Sequence, residues 1–205
     1  MTRTGLLGGS FNPAHRGHRR ISLAAARRLG LDEVWWLVSP GNPLKPDKGM
    51  APLAARLVSA QRVARGAPIR VTAIEAWLGT RYTIDTLRRL VRLYPRRRFV
   101  WIMGADNLRS FHRWQKWRGI AAMVPIAVID RLGPSLYASA SAAGQALGRA
   151  RIPETAAKSL ADRKPPAWVY LHGLKSPLSS TALRAARHKS DAKTPQDGDR
   201  GTATG

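Results

Sequence analysis

Residues 4–18 read TGLLGGSFNPAHRGH. Thr4 to Gly9 is a short apolar run ending in glycines, the pattern of a buried first strand followed by a turn. Gly8 and Gly9 remove Cβ atoms where the backbone is expected to turn and to come close to a ligand. Ser10 and Asn12 can cap or orient that turn, and Pro13 fixes one dihedral. Ile21 to Leu29 then has helical spacing and stops at Gly30, a C-terminal cap. A strand, a glycine turn and a helix start present backbone N–H groups and a positive dipole end, which suits phosphate. His15 and His18 are three residues apart, so both can face one way from the first helical turn.

Outward from this stretch, strands and helices alternate. Glu33 to Ser39 (EVWWLVS) is a β-rich run closed by Pro40-Gly41. Leu53 to Arg65 is an expected helix, with Leu53, Leu57, Ala60 and Ala64 on one face and Arg56, Ser59, Arg62 and Arg65 elsewhere. Ile69 to Ile74 is an expected strand and Thr83 to Leu93 a helix. Arg96-Arg97-Arg98 marks the entry to a buried strand ending at Met103. Trp114 to Met123 is expected to be helical, Ile126 to Ile129 a strand, Ala138 to Arg149 an Ala-rich helix. Trp168 to Leu171 is the last strand and Ser180 to Arg187 the last helix. The fold class expected is α/β: a Rossmann-like, doubly wound parallel sheet with helices on both faces. Residues 1–188 would form one domain, and residues 189–205, polar with no apolar face, a disordered tail.

The bulk figures set limits. The chain has 205 residues, 44% hydrophobic and 23% charged, a globular composition. No apolar run approaches the roughly 20 residues of a membrane span, and nothing near Met1 reads as a signal peptide. The absence of cysteine fits a cytoplasmic protein. The net charge of +23 attracts anions, or simply reflects arginine spent on solvated faces; both readings stay open. A nucleic-acid-binding module would interleave basic and aromatic residues along one face. Here the basic residues are spread over all the helices, which makes that the weaker reading.

The loop is not the G-x-G-x-x-G of dinucleotide-binding dehydrogenases. The histidines could hold zinc, but no third ligand lies close in sequence. As a whole string, GGSFNPAHRGH resembles the HxGH signature of the nucleotidyltransferase superfamily, in the form found in bacterial nicotinate-nucleotide adenylyltransferases. Further segments resemble that family in its order. They are Asn42-Pro43-Leu44-Lys45, Arg81-Tyr82-Thr83-Ile84-Asp85-Thr86-Leu87, Gly104-Ala105-Asp106-Asn107-Leu108, Phe111-His112-Arg113-Trp114 and Ser179-Ser180-Thr181-Ala182-Leu183-Arg184. Leu183 replaces the usual isoleucine. The resemblance covers residues 4 to about 187.

The resemblance implies adenylyl transfer from ATP to nicotinate mononucleotide, with Mg²⁺ accompanying the ATP. It assigns His15, His18, Lys45 and Arg184 to catalysis. ATP would be held by Gly8, Gly9, Ser10, Phe11, His15, His18, Ser180, Thr181 and Arg184. The second substrate would meet Lys45, Thr83, Asp106 and Trp114, with Trp114 stacking on the pyridine and the Thr83 helix start binding its carboxylate. No residue is expected to bind metal directly. Asp106 could instead cap a short helix, Trp114 could be packing, and Arg184 could be a solvated cation. Pantetheine-phosphate adenylyltransferases usually carry Thr where His15 stands, and cytidylyltransferases differ in the C-terminal motif. Class I aminoacyl-tRNA synthetases are far longer and carry a KMSKS-like segment absent here. No membrane partner is expected, and a homo-oligomer remains open.

Overall fold

The computed structural model describes residues 1–41, 49–130 and 139–173. Lys45, the Ser180–Arg187 helix and the expected tail lie outside the described residues. The sheet contains β1 Thr2–Gly9, β2 Glu33–Val38, β3 Ile69–Thr72, β4 Arg97–Gly104, β5 Ile126–Ile129, β6 Arg151–Ile152 and β7 Trp168–Leu171. Their order is β3-β2-β1-β4-β5-β7-β6, and every pairing is parallel. The α-helices among the described residues are α1 Arg16–Leu29, α2 Leu53–Ala64, α3 Ile74–Leu78, α4 Thr83–Leu93, α5 Ala105–Ser110, α6 Trp117–Met123 and α7 Ala142–Ala146. This is the α/β doubly wound class expected from the sequence.

Side chains of the central strand alternate between two cores. Phe99, Trp101 and Met103 of β4 join one core with Ile84 and Leu87 of α4, Leu108 of α5 and Ile120 of α6. Val100 and Ile102 join the other, with Ile21 and Ala25 of α1 and Ala60 and Ala64 of α2. A period of two thus feeds both layers. Strand order reverses between β1 and β4, which opens a crevice at their carboxyl ends. Leu7 pairs with Ile102, and both strands end two residues further on, at Gly9 and Gly104.

The opposite, amino-terminal edge is closed by ion pairs. Arg97 pairs with Glu33, and Asp162 takes both Arg3 at 2.8 Å and Arg98. The hydrogen bond from Arg98 is the main cause holding the Asp162 carboxyl below its usual range. The triple arginine does mark the strand entry.

Several boundaries differ from expectation. The strand at Ile69 ends at Thr72, because Ile74 opens α3, which stops at Gly79 in the left-handed region (φ 64°). The expected Trp114–Met123 helix begins only at Trp117, after Lys116 at φ 49°. Among the described residues of the alanine-rich stretch, Ala142–Ala146 forms the short α7, capped by Ser141 Oγ accepting from Gly144 N at 3.2 Å; a 3₁₀ turn and β6 follow. Glu154–Asp162 is a 3₁₀ segment with Leu160 fully buried, which period-3.6 spacing does not reveal.

Candidate functional site

The opening loop is built differently from the glycine turn its sequence suggests. Gly8 and Gly9 still belong to β1. A Cβ on Gly8 would lie 2.8 Å from Cη2 of Trp101, so this glycine makes room for a core indole. Gly8→Ala should therefore cost about 1–3 kcal/mol of stability, read by urea denaturation; an unchanged midpoint would show that the ring gives way. The turn itself falls on Phe11, at φ 46°. That backbone is strained for a non-glycine residue. It is held by burial, since Phe11 is 2% exposed and stacks on Trp36 at 4.9 Å.

The histidines cap the helix they begin. His15 is the N-cap of α1, and its Nδ1 accepts from Gly17 N at 3.1 Å. His18 Nδ1 accepts in return from His15 N at 3.2 Å, the reciprocal arrangement usually made by Ser and Glu. The helix cap therefore comes from His15. With both Nδ1 atoms accepting, the proton of each neutral imidazole sits on Nε2. The rings lie side by side, centroids 3.8 Å apart, and Phe11 backs His18 at 4.8 Å. The sequence placed both histidines on one turn; the structure makes them a matched pair of Nε2–H donors.

Two residues that anchor the loop have other origins. Asn12 donates from Nδ2 to Gly49 O at 3.1 Å and accepts from Ala51 N at 3.3 Å. Helical spacing puts Arg56 off the apolar face of α2, yet it is 2% exposed. Its guanidinium donates to Ser10 O and Ser39 O, both at 2.7 Å, and to Ala51 O at 2.8 Å. It thus ties the ends of β1 and β2 to α2. Helical spacing hid it, because a charged residue off the apolar stripe normally faces water.

Beyond the crevice, Asp106 is exposed in the first turn of α5, where Gly104, not Asp106, holds the N-cap position. Trp114 is half-buried and stands edge-on to Phe111 at 5.4 Å and Trp101 at 6.2 Å. Trp117 is the more deeply buried of the two, at 9% exposure. Thr83 opens α4 and is half-buried; Asp85 pairs with Arg88 at 3.1 Å. Ser39 N donates to Gly9 O at 2.9 Å, which ties the end of β2 to that of β1, and Thr86 of α4 donates to Glu75 Oε1 of α3 at 3.4 Å. Asp130, directly after β5, was not singled out by sequence. It is 7% exposed, and its Oδ1 has no hydrogen-bond partner among the described residues. An aspartate immediately after a buried strand was the available signal.

Among the described residues no three His, Asp or Glu side chains group as metal ligands. The imidazoles use their Nδ1 lone pairs in capping and offer N–H groups, which match phosphate oxygens better than a cation. A divalent ion fits this site as a companion of the nucleotide's phosphates.

A doubly wound sheet with a strand–loop–helix anion site at its switch point defines a nucleotide-handling α/β protein. A family model described as cytidylyltransferase-like matches residues 6–186. A Bradyrhizobium sp. (strain BTAi1) protein named "Probable nicotinate-nucleotide adenylyltransferase" is 59% identical over 182 residues, covering 89% of this chain and 95% of its own. A Methylorubrum extorquens protein of the same name is 56% identical, covering 89% and 98%. The nicotinic acid mononucleotide adenylyltransferase of Plasmodium falciparum, solved with NaAD, matches the fold with a TM-score of 0.65 at 16% identity, covering 90% of this chain and 83% of that one. The chain belongs to the cytidylyltransferase-like family and, within it, to the nicotinate-nucleotide adenylyltransferases. No helix among the described residues is long and apolar enough to cross a membrane.

Proposed function

We propose that this chain transfers the adenylyl group of ATP to nicotinate mononucleotide, giving nicotinate adenine dinucleotide and pyrophosphate in NAD biosynthesis. The observation that carries this reading is the reciprocal cap of His15 and His18, which sets two Nε2–H donors at the carboxyl end of β1. A phosphate oxygen of the mononucleotide attacks the α-phosphorus of ATP. One P–O bond forms as the bond to the β-phosphate bridge breaks, and pyrophosphate leaves. That nucleophile is already ionised at neutral pH, so the reaction needs no general base. Catalysis rests on alignment and on donors aimed at the developing charge.

In this reading His15 and His18 stabilise charge on the reacting phosphates, with Lys45 and Arg184 as cationic partners. Gly8, Gly9, Ser10 and Phe11 line the triphosphate, and Ser180 and Thr181 hold phosphate as well. Trp114 flanks the pyridine, Asp106 accepts from the ribose or an amide, and the α4 amino end with Thr83 takes the nicotinate carboxylate. Mg²⁺ arrives with ATP, and the reaction takes place in the cytoplasm.

Purified protein incubated with ATP, Mg²⁺ and nicotinate mononucleotide should release pyrophosphate, and much less with nicotinamide mononucleotide. Release with neither mononucleotide sinks the assignment. Equal rates remove the carboxylate site and leave the chemistry.

A further inference from the structure

β2 carries two adjacent tryptophans, and the sheet sends them to opposite layers. Trp35 joins the core that holds Leu87 of α4, and Trp36 the core that holds Ile21 of α1. Trp36 is fully buried, yet it reaches both the phosphate loop and the first turns of α1. Its ring stacks on Phe11, with centroids 4.9 Å apart and planes at 21°. It stands edge-on to His18, at 5.9 Å and 64°. Its Nε1–H donates to Ser22 Oγ at 2.7 Å.

Ser22 follows His18 by four residues on α1, so hydroxyl and imidazole lie on one side of the helix. Ser22 is also 0% exposed. A hydroxyl buried this way is costly unless it is hydrogen-bonded, and here its oxygen takes the indole N–H. The indole is thereby held at two points, by its own backbone on β2 and by its N–H on α1. A phenyl ring or an aliphatic side chain in its place would lack the second anchor.

A ring plane fixed in this way governs two features that the local backbone leaves open. Phe11 keeps a left-handed backbone, φ 46°, that is strained for any residue but glycine. The stacked indole holds it there, and the Phe11 ring in turn backs His18 at 4.8 Å. The bond from His15 N secures only the Nδ1 edge of His18. The tilt of the ring about that edge is set by its neighbours: Phe11, Trp36 and the His15 ring at 3.8 Å.

We propose that Trp36, pinned by Ser22, is a positioning residue for adenylyl transfer, fixing the Phe11 turn and the plane of the His18 imidazole and so the direction of its Nε2–H. This rests on the role given to His18 above. Trp36 and Ser22 are both fully buried and act on the substrate only through Phe11 and His18.

The test compares wild type, Ser22→Ala, Ser22→Thr and Trp36→Phe, each assayed well below its own Tm. Ser22→Ala and Trp36→Phe should lower kcat roughly tenfold, because a small misplacement of a reacting group is costly. Their KM for nicotinate mononucleotide should stay at the wild-type value, since the pyridine and its carboxylate are assigned to Trp114 and α4. Ser22→Thr keeps the hydroxyl acceptor and should restore kcat whatever its Tm. In a His18→Asn background, Ser22→Ala should lower kcat by less than about twofold further, because the group it positions is already gone. A Ser22→Ala enzyme with wild-type kcat, a Ser22→Thr enzyme as slow as Ser22→Ala, or the full tenfold loss in the His18→Asn background overturns the clamp.

Imidazole NMR gives a readout independent of turnover. The His18 ring resonances should shift in Ser22→Ala and Trp36→Phe and return to their wild-type positions in Ser22→Thr. His18 resonances unmoved in Ser22→Ala overturn the clamp alone. Shifted resonances in a protein without wild-type turnover uphold the clamp on His18 and overturn the assigned reaction.

Discussion

His18→Asn is expected to lower kcat by roughly 10²–10³, the scale for losing a donor aimed at transition-state charge. Asparagine is the informative substitution because its Oδ1 stands where Nδ1 stands in histidine. The bond from His15 N is kept, and only the Nε2–H is lost. His15→Asn does the same for the bond from Gly17 N. Both variants should unfold at close to the wild-type temperature while pyrophosphate release collapses. His18→Ala, by contrast, removes cap and donor together and should also lose about 1 kcal/mol of stability. A His18→Asn enzyme with wild-type kcat would reduce His18 to a helix cap.

Arg56→Met should destabilise the fold by about 3–5 kcal/mol, the largest single effect expected on stability. Methionine fills much of the volume, yet it leaves the carbonyls of Ser10, Ser39 and Ala51 without their buried donor. Arg56→Lys keeps the charge but not the planar fork, so one ammonium must choose among carbonyls that converge from three segments. It should recover only part of the loss. Because Ser10 lies in the phosphate loop, the same variants should raise KM for ATP. Urea denaturation and steady-state kinetics check both halves, and a loss below about 1 kcal/mol would mean that water replaces the guanidinium.

The fold was legible because its signals are local. The EVWWLVS and RFVWIM runs have the β-branched and aromatic content of strands covered on both faces, and Gly30 stops α1 in the left-handed region (φ 62°). Where local signals conflict, tertiary packing won. Ile74 continues an apolar run by composition, yet it turns into α3 and buries against α4 instead of extending β3. The alanine-rich stretch has high helical propensity, yet α7 ends at Ala146 and a 3₁₀ turn leads from it into the short edge strand β6.

By itself the sequence determined that a strand, a tight loop and a helix with two histidines on its first turn would recur in an alternating α/β chain, because hydrophobic period and turn chemistry act between near neighbours. Only the tertiary structure decided how that loop is held. Gly8 yields its space to Trp101, Phe11 takes the turn, and Arg56 and Glu75 are drawn inside by partners up to 46 residues away. A buried charge is tolerated only where its donors and acceptors are matched, and that matching exists only once the strand ends have been brought together.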